Sequence, residues 1–299
     1  MLLALVGPTG SGKTAAALPV AERLGAEIAS IDSMLVYRGM DIGTAKPSAA
    51  DRARVAHHLL DLAEPSERFT VSRFQATARE TLAGLPRALL VGGSGLYFRS
   101  VVDDLEFPEE NEDVRAELVM EAAAAGSSLL HHRLAGFDPA AAAKIEPSNT
   151  RRIVRALEVP AVTGRGFSSF AAAWDRYEPS RVRAAGVRIS REVLTRRIAA
   201  RVDAMLDADW LDEVRGLVAR GFGRWLTATQ AIGYAELAAH LEGALTLDEA
   251  REVTVKRTRA LARRQTAWFR RDPRIRWFDV GEGGALEAAG EIASYLGAV

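Results

Sequence analysis

Short apolar runs recur along the chain, and most of them close on glycine or on a carboxylate. LLALV (2–6) runs into a glycine loop, EIASI (27–31) ends at Asp32, and RALLVGG (87–93) ends in glycines. AAGVRI (184–189) and IRWFDV (275–280) complete the set. Helical stretches lie between them, beginning with AAALPVAERL (15–24), where the interior Pro19 is expected to kink the helix. Short apolar strands alternating with helices predict an α/β fold built on a parallel sheet. Ligands of such sheets collect at the carboxyl ends of the strands. Gly7–Thr14, Asp32 and Gly92–Ser94 all fall at predicted strand ends, so one cleft is expected to hold them.

From about Pro108 to Arg183 the pattern changes. VRAELVMEAAAA (114–125) and RRIVRALEV (151–159) have helical spacing, and no convincing strand interrupts them. This predicts a core made of 1–107 and 184–299, with a helical insertion at 108–183. After Ser190, Leu194, Ile198, Val202, Met205 and Leu206 recur three or four residues apart, the stripe of an amphipathic helix. Thr246 and Glu249 form a capping box that opens another helix, running to about Arg270. No internal repeat or low-complexity linker is visible.

Composition narrows the picture in three ways. The 299 residues include no cysteine, which excludes disulfides, thiolate metal sites and a cysteine nucleophile and fits a cytoplasmic protein. The apolar N-terminus lacks a basic start and reads as a first strand, not a signal peptide. No apolar run reaches the ~18 residues needed to cross a membrane. The 39 basic residues balance the 39 acidic ones, yet ten Lys or Arg and only Glu252 and Asp272 as acids lie between Arg251 and Arg276. Net neutrality therefore hides a basic C-terminal face, the kind that tracks a nucleic-acid backbone.

The strongest chemical signal is GPTGSGKT, residues Gly7, Pro8, Thr9, Gly10, Ser11, Gly12, Lys13 and Thr14. Strand, glycine loop and helix in this order make a P-loop, the phosphate cradle of nucleotide- and ATP-binding proteins. Successive N–H groups at the helix start face phosphate oxygens, Lys13 adds a point charge, and the Thr14 hydroxyl is the usual Mg²⁺ ligand. The motif alone leaves open whether the phosphates are transferred, hydrolysed or discarded. Asp32 either caps its turn or serves as a general base or metal ligand. Tyr37, Arg38, Asp41, Thr44 and Lys46 crowd polar groups into the loop that follows, which favours chemistry there. In VGGSGLYFRS (91–100), Gly92 and Gly93 would let backbone N–H groups approach an anion, and Ser94 offers a hydroxyl; a tight capped turn is the plainer alternative. Trp268 and Phe269 read as helix core sooner than as base-stacking platforms. His57 and His58 lack a third ligand and propose no metal site.

Taken together, GPTGSGKT, DSMLVYRGMDIGTAKP, HHLLD (57–61), VGGSGLYF, RRIVRALEV, QAIGY (230–234) and RRQTAWFR resemble the tRNA dimethylallyltransferase family, in order and over nearly the whole chain. The resemblance implies a P-loop kinase-like core with a helical insertion that clamps the anticodon stem-loop of tRNA. It implies dimethylallyl diphosphate and the N6 amine of adenosine 37 as substrates, Mg²⁺ as cofactor, and a monomeric, cytoplasmic enzyme. The diphosphate would then be the leaving group. Carried over by position, Asp32 would be the base, with Lys13 and Ser94 stabilising the departing diphosphate. Asp32, Ser33, Met34 and Leu35, Ser94, Arg115, Arg151, Arg152, Ile153, Val154 and Arg155, and Val253 to Thr258 (including Lys256 and Arg257) match tRNA-contacting positions. Leu35 stands where many members have glutamine, Ser94 where threonine is usual, and Gln230 where some have arginine.

Overall fold

The protein is described by a computed structural model that covers residues 1–298 except Ala172 and Asp175. In chain order the first elements are β1 Leu2–Val6, α1 Lys13–Leu24, β2 Glu27–Ser30, α2 Ala49–Arg54, β3 His57–His58 and α3 Val71–Ala83. Next come β4 Ala88–Gly92 and α4 Gly95–Val102, then α5 Glu112–Ala125, α6 Ser127–Phe137, α7 Pro139–Ala142 and α8 Thr150–Thr163. The last group is β5 Val182–Ile189, α9 Arg191–Asp207, α10 Trp210–Ala219, α11 Tyr234–Leu241, α12 Leu247–Phe269, β6 Ile275–Val280 and α13 Ala289–Gly297. These elements form two compact units, Met1–Val102 together with the chain from Glu178 onward, and Asp103–Tyr177.

The first unit holds a six-stranded sheet in the order β3-β2-β4-β1-β5-β6, every pairing parallel. Side chains of β1 alternate between two cores, as the period of two in a strand requires. Ala4 and Val6 face a core with Phe74, Tyr97, Phe98, Ile198, Val202, Trp210 and Phe269. Leu3 and Leu5 face α1 and α13, against Ala16, Val20, Ile292 and Leu296. Helices on both faces explain why the inner strands read as largely apolar runs, whereas the edge strand β6 buries Ile275 and Phe278 but exposes Arg276 and Asp279. The other edge, β3, has only two residues and had no apolar run to announce it.

α1 runs through Pro19. The ring removes the bond to the carbonyl of Ala15, and Ala15 is exposed, so water can take that carbonyl. Ser190 caps α9 through Val193 N–H, and the Thr246–Glu249 capping box opens α12. Among the described residues, no helix is long and apolar enough to cross a membrane.

The second unit is helical, with its own core of Leu118, Leu130, Leu134, Ile145, Ile153, Val154 and Leu157. Glu158 is fully buried there and accepts the Arg115 guanidinium through both carboxylate oxygens, at 2.7–3.0 Å. It also accepts Asn111 N–H at 2.8 Å and pairs with Arg155 at 3.1 Å. Isolated, this carboxylate would be very costly to bury; with two guanidiniums and an N–H it becomes the polar staple of the unit.

Candidate functional site

The site grows from the carboxyl edge of the sheet. β1 ends at Val6, in register with Gly92 at the end of β4 and Gly186 in β5. The chain then turns through Gly10 (φ 81°) and Gly12 (φ 86°) into α1. Both angles lie in the left-handed region that favours glycine, so the loop's curvature depends on these two residues. α1 has no acidic residue in its first turn, leaving the positive end of its dipole uncompensated.

Lys13 is buried, and its Nζ donates to the Pro8 carbonyl at 2.7 Å. Burial pulls its pKa from 10.5 down to about 7; the Asp32 carboxylate opposes the shift and the Arg201 guanidinium adds to it. Arg201, from α9, donates to Thr9 Oγ1 at 3.3 Å. Its pKa too is lowered by burial, with Asp32 again opposing. The buried Lys13 and the half-buried Arg201 thus face one half-buried carboxylate, and with Lys13 protonated that imbalance of charge favours an anion. Arg197, one helical turn earlier, braces the loop from outside through its Nε bond to Gly10 O at 2.9 Å. Neither arginine stands in a recognisable motif; their signal was a four-residue spacing on the polar side of a helix whose apolar stripe drew the attention.

Asp32 follows β2. Its Oδ1 accepts Met34 N–H at 2.9 Å, so it does cap its turn, while it also lies within electrostatic reach of Lys13 and Arg201. Ser33, Met34 and Leu35 are half-buried beside it. The polar residues that follow prove to be internal fastenings. Lys46 Nζ is sequestered between Tyr37 O and Asp61 Oδ1, both at 2.7 Å, and also binds Asp41. Glu213, on α10, accepts Asp41 N–H and Ile42 N–H at 2.8 Å and the Tyr234 hydroxyl at 2.6 Å. The crowding of polar groups in 37–46 therefore corrects to loop architecture, because a long irregular segment must satisfy its own backbone.

The second glycine turn is closely packed. A Cβ at Gly92 would stand 2.6 Å from Ile31 O, and one at Gly93 would stand 2.5 Å from Gln265 Nε2. Close packing by itself therefore requires glycine at both positions. Ser94 is half-buried, and its Oγ accepts Tyr97 N–H at 3.4 Å at the start of α4. Phe269 is buried as expected, whereas Trp268 is 39% exposed. Gln230 donates to Leu226 O at 3.0 Å.

The remaining RNA-directed candidates divide by partner. On α12, Arg257 pairs with the buried Glu236, and Thr258 is half-buried. Lys256 is exposed, and no described residue hydrogen-bonds or ion-pairs with it. In the second unit, Arg115 and Arg155 are held by Glu158, with Arg155 also donating to Pro108 O and Glu109 O, at 2.6 and 3.0 Å. Arg151 and Arg152 are exposed. Ile153 and Val154, 0% and 2% exposed, form that unit's core; the helical period turns them inward, so their side chains offer no surface to RNA. The P-loop, Asp32, Ser94 and α12 belong to one unit, and residues 115 and 151–155 to the other.

The described residues contain no cluster of three His, Cys, Asp or Glu. An all-protein metal cage is not what Mg²⁺ beside phosphates uses: it keeps waters, takes phosphate oxygens and needs one or two protein oxygens. Thr14, exposed at the first turn of α1, fits that demand.

Comparison with known proteins meets this geometry at two levels. The family described as IPP transferase matches residues 35–272, and that described as isopentenyl transferase matches residues 1–64. The chain is similar to a tRNA dimethylallyltransferase of Desulforudis audaxviator, 46% identical over 99% of this chain and 97% of the relative. It is 47% identical to the tRNA dimethylallyltransferase of Nocardioides sp., over 98% and 96%. Among solved structures, the tRNA isopentenylpyrophosphate transferase of Bacillus halodurans aligns with TM-score 0.70 at 38% identity, covering 99% of this chain and 95% of that one. A eukaryotic dimethylallyltransferase acting on tRNA shares the fold, with TM-score 0.80 at 22% identity over 98% and 76%. The chain belongs to the IPP transferase family.

Proposed function

We propose that the protein transfers the dimethylallyl group of dimethylallyl diphosphate to N6 of adenosine 37, beside the anticodon of tRNA, and releases diphosphate. One arrangement carries the reading: the buried Lys13 and the half-buried Arg201 meet the carboxylate of Asp32 at the P-loop. The cations and the helix dipole bind the diphosphate and stabilise the charge that gathers on it as the C1–O bond breaks. The adenine amine is a weak nucleophile because its lone pair is delocalised into the ring. As N6 bonds to C1, Asp32 accepts the N6 proton. Ser94 offers a hydroxyl to the leaving group. Mg²⁺ held by Thr14 would neutralise part of the diphosphate charge. To reach this site the base must leave its stack, which loop nucleotides do at low cost. The exposed Lys256, Arg151 and Arg152 are the side chains best placed for the RNA backbone, with the helical unit as tRNA clamp. The protein acts as a cytoplasmic monomer.

The test is direct. The protein is incubated with dimethylallyl diphosphate, Mg²⁺ and a tRNA carrying adenosine at position 37, and nucleosides are analysed by mass. Dimethylallyladenosine at that position is expected. Phosphate transfer from ATP with no alkylated nucleoside would instead identify a P-loop kinase.

A further inference from the structure

Gly93 and Gly95, which flank Ser94, and RRQTAW (263–268), to which the chemistry above gives no role, meet in the fold. Gln265, on α12, accepts Thr9 N–H at Oε1 over 2.7 Å, although the two residues are 256 apart in the chain. Its Nε2 lies on Gly93, where a Cβ would come within 2.5 Å, and Trp268 lies on Gly95, where a Cβ would come within 1.9 Å of the indole Cδ1. A side chain at Gly95 would strike the Trp268 ring, and one at Gly93 would displace the Gln265 amide. Gln265 and Trp268 are three residues apart and so share a helix face.

The peptide group that Gln265 holds is the one joining Pro8 to Thr9. Its other end, the Pro8 carbonyl, accepts Lys13 Nζ at 2.7 Å. In a planar trans peptide the N–H and C=O point in opposite directions, so an amide fixed at one end fixes the aim of the other. Gln265 and Lys13 therefore grip opposite ends of one peptide.

We propose that Gln265 is a positioning residue for the diphosphate loop: by holding Thr9 N–H it aims the Pro8 carbonyl at Lys13 and sets where the lysine's charge meets the diphosphate. The inference rests on the donor-site reading above and adds to it that the P-loop is completed from α12. A rigid loop needs no such strut from outside its own strand–helix unit. This one contains two glycines with left-handed angles and gains most from an external restraint.

The experiment compares the parent with Gln265→Ala, Gly93→Ala and the double variant. Gln265→Ala removes one partly buried hydrogen bond, and the Michaelis constant for dimethylallyl diphosphate is expected to rise about tenfold. Turnover at saturation, tRNA affinity and melting temperature should change much less. Gly93→Ala pushes Gln265 aside and should raise the constant similarly alone, yet add little in the Gln265→Ala background. Binding of inorganic diphosphate, measured by titration calorimetry, should weaken in the same pattern whether or not tRNA is alkylated, so this readout stands apart from the functional reading. Unchanged diphosphate affinity in Gln265→Ala, simple additivity in the double variant, or a loss that tracks melting temperature alone would overturn the proposal.

Discussion

The depressed pKa of Lys13 makes diphosphate binding a proton-coupled event. In the protein alone this amine titrates at about 7 instead of 10.5, because burial disfavours its charge more than Asp32 restores it. A bound diphosphate reverses the balance, since an adjacent polyanion favours the ammonium form. At pH 8 about nine-tenths of Lys13 starts out neutral, so binding should take up about 0.9 proton; at pH 6 the uptake should fall to about 0.1. The sign follows: affinity is greatest below pH 7 and falls roughly tenfold per pH unit above it, until the pKa of the complex is reached. Stability of the unliganded protein runs the opposite way. A base with a lowered folded-state pKa opposes folding while charged, so this contribution improves as pH rises from about 7 to 10.5.

The assay is calorimetric titration with inorganic diphosphate at pH 6 and pH 8, each in two buffers of different ionisation enthalpy. Lys13→Arg is the control, because a guanidinium keeps its charge throughout this range and cannot take up the proton. Subtracting the variant also removes protons exchanged by the ligand itself. Equal uptake by parent and Lys13→Arg at pH 8 would refute the reasoning, and with it the idea that an uncharged lysine waits beneath the loop.

Four further outcomes follow from the same structure. Asp32→Asn keeps shape and the acceptor for Met34 N–H but cannot take a proton, so single-turnover alkylation should slow by about 10²–10⁴ while tRNA affinity changes little. Glu158→Ala removes the buried carboxylate that joins Arg115, Arg155 and Asn111 N–H and should cost the helical unit about 3 kcal/mol, seen as an earlier melting transition in calorimetry. Lys256→Ala should lower the salt slope of tRNA binding by about 0.7 to 0.9 without loss of stability, in a plot of affinity against ionic strength. Arg257→Ala should instead lower the melting temperature, since it leaves the buried Glu236 unpaired.

The sheet was legible because strands covered on both faces are largely apolar, which marks its four inner strands, and because the edge strand β6 is rich in Ile, Trp, Phe and Val. β3 escaped notice because two residues cannot show a period. The P-loop was legible because its function constrains glycine at fixed offsets. Arg201, Arg197 and Gln265 were not, because each reaches the site from a distant helix and its partner is a loop atom 187 to 256 residues away. Composition reveals that arginines are present; only tertiary structure reveals which of them reach the P-loop. The polar loop 37–46 misled for a related reason. A carboxylate or an ammonium looks the same in sequence whether it meets a substrate or a backbone, and Glu213, which satisfies that loop, lies some 170 residues further on.

The net charge of zero illustrates how far partners matter more than totals. Arg115 and Arg155 neutralise Glu158, Arg251 pairs with Asp203, Arg257 with Glu236, and Arg274 with Asp272. These cations are spent on structure, and several of them sit in the stretch that looks most basic in sequence. Lys13 is buried and Arg201 half-buried at the P-loop, beside Asp32. Lys256, Arg263 and Arg264 are exposed on α12, with no hydrogen-bond or ion-pair partner among the described residues. Exposed charges paired with one another contribute little on binding a polyanion, because each pair must first be broken. Unpaired ones release counterions directly. The RNA track on α12 is therefore narrower than its ten-cation stretch suggests, and it runs along the same helix that carries Gln265. Lys256 and Gln265 are nine residues apart, roughly 13 Å along the axis. One rigid helix thus presents free cations on its surface and braces the diphosphate loop at its buried end, so the two substrates would be registered against a common element.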